Sequence, residues 1–180
     1  MTITMPGLEI AGRVRAKDIQ MAATADPIRR VLMISGAIDT NDYDIAVTFD
    51  LPLAGRWQVI KSETNLSDRP WLAWQMTCDP DCRFVDDAEA MMLSRQYAKT
   101  FVTPDSDRFV FYDGEVRPGE AVLKSFVIES TKKRVKLNHT RYTAPPNEDP
   151  AKTKSGIDRA VAHGMDMKPV LEIGVHVSSM

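Results

Sequence analysis

The chain has 180 residues, of which 43% are hydrophobic and 27% charged, and its formal net charge is -2. This length favours one domain with one sizeable core, and the near balance of charge excludes a global basic field that would recruit nucleic acid or an acidic membrane. No apolar run approaches the length of a membrane span, and Met1–Gly7 lacks the basic start of a secretory signal. We therefore expect a protein that is made in the cytoplasm and contacts no membrane.

The composition of the chain changes twice along its length. Residues 1–27 show no core of their own and predict an extended N-terminal arm, whereas residues 28–144 hold a dense series of strand-like runs and predict a β-rich core domain. Residues 145–180 begin with a proline-rich stretch and predict a solvated linker, one short helix and a terminal strand.

The cleanest strand signal is the alternation of Ile45, Val47 and Phe49 on one face, which is the period of a half-buried strand. A break at residues 52–55 follows, and residues 56–61 then predict the hairpin partner of that strand. Further strand-like runs occupy the rest of the core domain: residues 31–34, 72–76, 108–112, 121–129 and 131–142.

One interruption of this β pattern predicts a helix. Asp86 and Asp87 suit a helix N-terminus, and Leu93, Tyr97 and Phe101 recur near helical spacing. The sequence as a whole therefore predicts a mainly β fold, either an antiparallel β-sandwich of the jelly-roll-like type or a small barrel, with one inserted helix and extended N- and C-terminal arms.

The end of the chain carries a second clear alternation. Leu171, Ile173, Val175 and Val177 are separated by Glu172, Gly174 and His176 and predict a strand with one apolar face. Such a strand must pair with a sheet, either its own or that of a neighbouring subunit. The four apolar residues are therefore candidates for a subunit interface.

Positive charges are concentrated at residues 132–141, where Val135 and Leu137 would face the core of a strand and place Arg134 and Lys136 on the opposite face, with Lys132 alongside. A row of this kind can follow a phosphate backbone, and Phe109 and Phe111 share a strand face that invites comparison with base-stacking platforms. A solvated edge strand explains the same charges and is the interpretation we favour. The basic stripe, as we call it, consists of Lys132, Lys133, Arg134, Lys136 and Arg141.

Motifs for specific chemistry are missing from the sequence. It contains no phosphate-binding glycine loop, no serine hydrolase elbow and no His-Glu-x-x-His helix. Cys78 and Cys82 lack the second ligand pair that a zinc site needs, and we expect two reduced thiols near a turn. The acidic residues from Asp79 to Glu89 lack the spacing of an EF-hand and are typical of a solvated loop. We therefore expect no metal, no cofactor and no enzymatic activity.

These observations favour a non-enzymatic structural subunit of a large symmetric particle. Its most concrete form is a homo-oligomeric phage or virus virion component, such as a capsid-associated, vertex or tail protein, whose partners are copies of itself and other particle subunits. The alternative hypothesis is a small β-barrel that binds single-stranded nucleic acid through residues 132–141. A third is an enzyme whose site is dispersed in the sequence, since catalytic triads assemble from distant positions.

Overall fold

The computed structural model describes residues 2–5, 8–11, 19–87, 89–90, 93–103, 107–143 and 170–179. Throughout these residues the regular structure is β. In chain order the strands are β1 (Thr2–Met5), β2 (Leu8–Ala11), β3 (Ile19–Asp26), β4 (Val31–Ile38), β5 (Asp44–Asp50), β6 (Gly55–Asn65), β7 (Ala73–Cys78), β8 (Cys82–Phe84), β9 (Leu93–Ser94), β10 (Tyr97–Val102), β11 (Arg108–Gly114), β12 (Ala121–Ser130), β13 (Arg134–Tyr142), β14 (Val170–Val175) and β15 (Val177–Ser179).

The strands form two sheets, and the order of strands in both is open. Sheet A has eight strands in the order β1-β2-β14-β5-β13-β7-β11-β10. Sheet B has seven, in the order β15-β3-β4-β6-β12-β8, with β9 also paired to β12. A mainly β, sandwich-like fold is therefore confirmed, whereas the strand orders support neither the jelly-roll arrangement nor a closed barrel among the described strands.

Alternation of apolar residues decides which face of each strand is buried. In β5 the side chains of Ile45, Val47 and Phe49 are buried and Thr48 is only half-buried, as the sequence predicts. Residues 56–61 belong to β6, but this strand lies in sheet B whereas β5 lies in sheet A, so the predicted hairpin between them is wrong. At residues 52–55 the chain crosses from sheet A to sheet B, where the sequence predicts a hairpin turn.

The predicted inserted helix is wrong for the residues that the structure describes. Leu93 lies in β9, and Tyr97 and Phe101 lie in β10, which pairs with β11 along its length. The physical reason is that a spacing of four residues places side chains on one face of a strand as well as on one face of a helix. The predicted short helix between Ser155 and Gly164 lies outside the described residues.

Both segments that the sequence predicts as arms contribute strands to the sheets. Within residues 1–27, β3 pairs with β4 in sheet B and buries Ile19, Met21, Ala23 and Ala25. Within residues 145–180, β14 is inserted between β2 and β5 in sheet A. The core therefore extends beyond the predicted boundaries of residues 28–144 on both sides.

Candidate functional site

The candidate interface residues of the terminal strand lie in the core of their own chain. Leu171, Ile173 and Val175 are buried, and Val177 is partly buried against the same core. Strand β14 runs parallel to β5 inside sheet A, and β15 runs parallel to β3 at the edge of sheet B, so the end of the chain joins one sheet to the other. An interface role for these four residues stays a prediction.

The basic stripe is largely neutralised by acidic side chains. Lys132 Nζ lies 2.9 Å from Asp81 Oδ2, and Lys136 Nζ lies 2.9 Å from Glu172 Oε1. Arg134 forms a two-pronged pair with Asp50, with nitrogen–oxygen distances of 3.1 and 3.2 Å. Lys133 is exposed. A phosphate backbone would have to compete with these carboxylates for three of the cations, which argues against the nucleic-acid hypothesis.

Arg141, the last cation of the stripe, lies on the opposite face of β13 from Lys136 and is buried. Its guanidinium donates to the backbone carbonyls of Thr40 and Tyr43. Burial lowers the pKa of Arg141 to about 10, although the charge of Asp44 acts in the opposite direction. This side chain therefore belongs to the space between the sheets and is withdrawn from any phosphate.

Phe109 and Phe111 do not form a surface platform. Both are fully buried, and their ring centroids lie 4.9 Å apart in an edge-to-face contact. Phe109 also packs edge-on against Phe84 of sheet B, with centroids 4.6 Å apart. The shared strand face that the sequence predicts is real, but it points to the core.

The outer face of sheet B is free of charge over three consecutive rows of cross-strand neighbours. Every second residue points outward in the four neighbouring strands β3, β4, β6 and β12. A row consists of one outward residue from each strand, and the residues of a row are cross-strand partners. We call these positions the uncharged face. Its rows are Thr24, Met33, Ile60 and Ser125; Ala22, Ser35, Ser62 and Leu123; and Gln20, Ala37, Thr64 and Ala121.

Three large apolar side chains of the uncharged face are exposed to solvent. Met33 and Ile60 are direct neighbours and are each 37% exposed, and Leu123 is 38% exposed. Leu93 of β9 extends the first row beyond Ser125 and is 46% exposed. The outer face of sheet A differs, because it carries the exposed ion pairs of the basic stripe. The two sides of the sandwich therefore present different chemistry.

Charged side chains lie in the space between the sheets instead. Lys61 and Glu63 of β6, Lys124 of β12, and His139 and Arg141 of β13 are all buried, and we call them the buried charge cluster. Lys61 and Lys124 are direct cross-strand partners, an arrangement in which like charges repel.

The carboxylate of Glu63 offsets this repulsion from a position beside both amines. Lys124 Nζ lies 2.8 Å from Glu63 Oε2, and Lys61 forms an ion pair with Glu63 Oε1.

Trp74 of β7 covers this group from sheet A. Lys124 Nζ lies 3.0 Å from the centroid of the Trp74 ring, and Lys61 Nζ lies 5.7 Å from it. The His139 and Trp74 rings meet edge to face with centroids 5.7 Å apart. The Trp74 ring, with His139 packed against it, therefore occupies space from which water would otherwise solvate the amines of Lys61 and Lys124.

Burial disfavours the charged form of every base in the cluster. It holds the pKa of Lys61 and that of Lys124 well below the usual lysine value, and neighbouring cations act in the same direction. The pKa of His139 is likewise held well below its usual value, first by burial and then by the charges of Lys61 and Lys124. A single carboxylate, Glu63, faces two amines, so one of the two amines is expected to be neutral.

Sequence reasoning missed this cluster, although a signal for it exists. Trp57, Val59, Lys61 and Glu63 share one face of β6, so the apolar face of the strand continues into charged residues. Lysine and glutamate are ordinarily exposed, which is why the alternation predicts that the strand ends at Lys61.

The two cysteines are free, as expected. Cys78 donates through its Sγ to the carbonyl of Cys82 at 2.8 Å. The side chain of Cys82 and, after it, burial raise the pKa of the Cys78 thiol. In the described part of the chain no group of three or more His, Cys, Asp or Glu is placed to hold a metal ion. The same residues contain no helix long and apolar enough to cross a membrane.

Residues 21–180 match the model of a family of unknown function, DUF6423. The chain belongs to this family. No curated protein and no solved structure matches it.

Proposed function

We propose that this chain is a non-enzymatic assembly subunit that packs against another copy of itself through the uncharged face. The observation that carries the proposal is the absence of charge from three rows of the outer surface of sheet B, in a chain of which 27% is charged. A face without charge loses little hydration when it is covered, and its exposed Met33, Ile60 and Leu123 gain from burial.

A second copy is the partner that the chemistry of this face fits best. A charged partner surface would have to give up water without receiving a counter-charge in return. The same face of another copy carries no charge either, and two sheets related by a two-fold axis can pack face to face with their apolar residues in contact. The interface is then isologous, with Ile60 and its neighbours near the axis.

The larger assembly that we propose is a symmetric particle, most concretely a phage or virus virion in which this chain is a capsid-associated, vertex or tail component. The placement of the terminal strand supports this reading. Strands β14 and β15 are separated in sequence from β13 by residues 143–169, and within the described residues they pair only with strands from earlier parts of the chain. A terminal strand that follows a long connection and completes sheets built from earlier strands is the kind of element that subunits exchange with neighbours.

The test is the native mass of the full chain and of two glutamate variants. Ile60→Glu places a charge in the first row of the uncharged face, next to Met33, and we expect it to dissociate the oligomer that the unmodified protein forms. Thr48→Glu is the matched control, because Thr48 lies on the outer face of sheet A and is half-buried; it should leave the mass of the oligomer unchanged. A monomeric unmodified protein, or an Ile60→Glu variant that still assembles, would overturn the proposal.

A further inference from the structure

The buried charge cluster holds the components of a condensation reaction. An amine and a carboxyl group form an amide when the amine is neutral, the two groups are in contact and water is kept away. Lys124 and Glu63 meet the requirement for contact, with Nζ and Oε2 at hydrogen-bond distance. Both side chains have no exposed surface, and Trp74 lies against the amine. These features occur together inside a β-sandwich, where side chains cannot separate by rotating into solvent.

We propose that Lys124 and Glu63 form a covalent amide bond between β12 and β6. The reason is the unequal number of amines and carboxylates. Glu63 balances one ammonium group, so with both lysines beside it the site holds one ammonium, one neutral amine and one carboxylate. A neutral amine is a nucleophile, and an ammonium group is a proton donor.

The reaction balances without an oxidant, a reductant or any further reactant. The lone pair of Lys124 Nζ attacks Cδ of Glu63, and a new nitrogen–carbon bond forms. The bond between Cδ and one carboxyl oxygen breaks, and that oxygen leaves as water after taking one proton from the attacking nitrogen and one from the ammonium group of Lys61. The products are an amide, one water molecule and a neutral Lys61.

The two lysines have different places in this reaction. Lys124 comes from the neighbouring strand and has Trp74 against its amine, so the bond would join two strands of sheet B. Lys61 lies two residues from Glu63 on the same strand and contacts the other carboxyl oxygen, where it can supply the proton for the leaving oxygen. Once the bond has formed, the charges of Glu63 and of both lysines are gone from the interior, which removes the desolvation cost of keeping them there.

The proposed amide bond stabilises the subunit itself, and the proposal does not depend on whether the subunit assembles with other copies. Strands β6 and β12 form the longest paired register of sheet B, from Ala121 opposite Thr64 to Ser130 opposite Gly55. A covalent bond within this register keeps the two strands together even when the hydrogen bonds between them are broken. The fold would thus resist complete separation of its central strands by heat, denaturant or mechanical load.

The decisive measurement is the intact mass of the purified full-length protein in denaturant. We expect a mass lower than that of the sequence by one water molecule, and proteolysis followed by tandem mass spectrometry should yield a branched peptide that joins Lys124 to Glu63. Lys124→Met removes the nucleophile and should show the full mass of its own sequence. An intact mass equal to that of the sequence, or a linkage that joins Glu63 to Lys61, would overturn the proposal. Neither result affects the proposed assembly, which is tested separately by the native mass of the oligomer.

The chain supplies an internal control for the same peptide map. Lys132 and Asp81 also place an amine 2.9 Å from a carboxylate oxygen, but their side chains are 67% and 43% exposed. Water reaches both side chains there, so their peptides should be recovered unlinked. A loss of water at this exposed pair would show that proximity alone, or the handling of the sample, produces the bond, and the assignment to the buried site would fail.

Discussion

Replacing Ile173 by alanine tests whether the terminal strand is part of the core of its own chain. Ile173 is 1% exposed and lies in the middle of β14, opposite Val47 of β5 on one side and Ile10 of β2 on the other. Because paired strands flank it on both sides, the space left by the lost side chain cannot easily collapse. We expect Ile173→Ala to lower the free energy of unfolding by about 2 to 5 kcal/mol, which is on the order of 10 °C in melting temperature for a chain of this size.

Val170→Ala is the matched control, because Val170 lies at the start of the same strand and is 55% exposed. We expect it to cost less than about 0.5 kcal/mol. The assay is urea and thermal unfolding of the full chain, carried out in the Ile60→Glu background so that dissociation of the proposed oligomer does not contribute. Equal costs for the two variants would refute the placement of β14 in the core. A cost of Ile173→Ala that changes with protein concentration would show instead that the strand is exchanged between copies.

Three further outcomes follow from the structure. Phe49→Ala should cost about 3 to 5 kcal/mol in urea unfolding and Thr48→Ala well under about 1, and the reverse order would mean that the register of β5 is shifted by one residue. Since burial holds the pKa of His139 below its usual value of 6.5, the unfolded chain takes up a proton that the native chain does not as the pH falls, so stability should decline between about pH 7 and 5. His139→Asn keeps a donor near the carbonyl of Ile45, 3.2 Å from Nδ1, and should flatten that decline; an unchanged slope would assign it to another group. Glutamine at the four positions of the basic stripe other than the buried Arg141 should leave the affinity for single-stranded DNA and RNA unchanged at low salt, and a measurable drop would revive the nucleic-acid hypothesis.

The strands of the core were predictable because their signal is local. Alternation in β5 and β14 depends only on which residues face the interior, and both strands appear where Ile45 and Leu171 begin their apolar series. Pairing was not predictable in the same way. The break at residues 52–55 is compatible with a hairpin turn or with a crossing between sheets, and the choice depends on partners that are distant in sequence.

The candidate site was less predictable than the fold, because two separate patterns have to be combined to see it. Alternation in β6 shows that Lys61 shares a face with Val59, but ordinary exposure statistics place a lysine in solvent. Only the register between β6 and β12 brings Lys124 opposite Lys61 and shows that both are enclosed. The uncharged face likewise appears only when outward residues of four strands are placed side by side.

These two features belong to one distribution of charge that is the reverse of the usual one. A soluble sandwich ordinarily keeps ionisable residues outside and apolar residues between its sheets, yet here the buried charge cluster lies between the sheets while three rows of the outer surface carry no charge. Both features cost free energy in an isolated molecule, because the charges of the buried cluster lose hydration and the exposed apolar residues of the uncharged face order water. Amide formation would remove the part of the first cost that comes from Glu63 and the two lysines, and self-association would remove the second. The completed subunit would then have Arg141 as the remaining cation of the buried charge cluster, held by backbone carbonyls, and a covered uncharged face, which is why we expect the linked, assembled form to be the stable state of this chain.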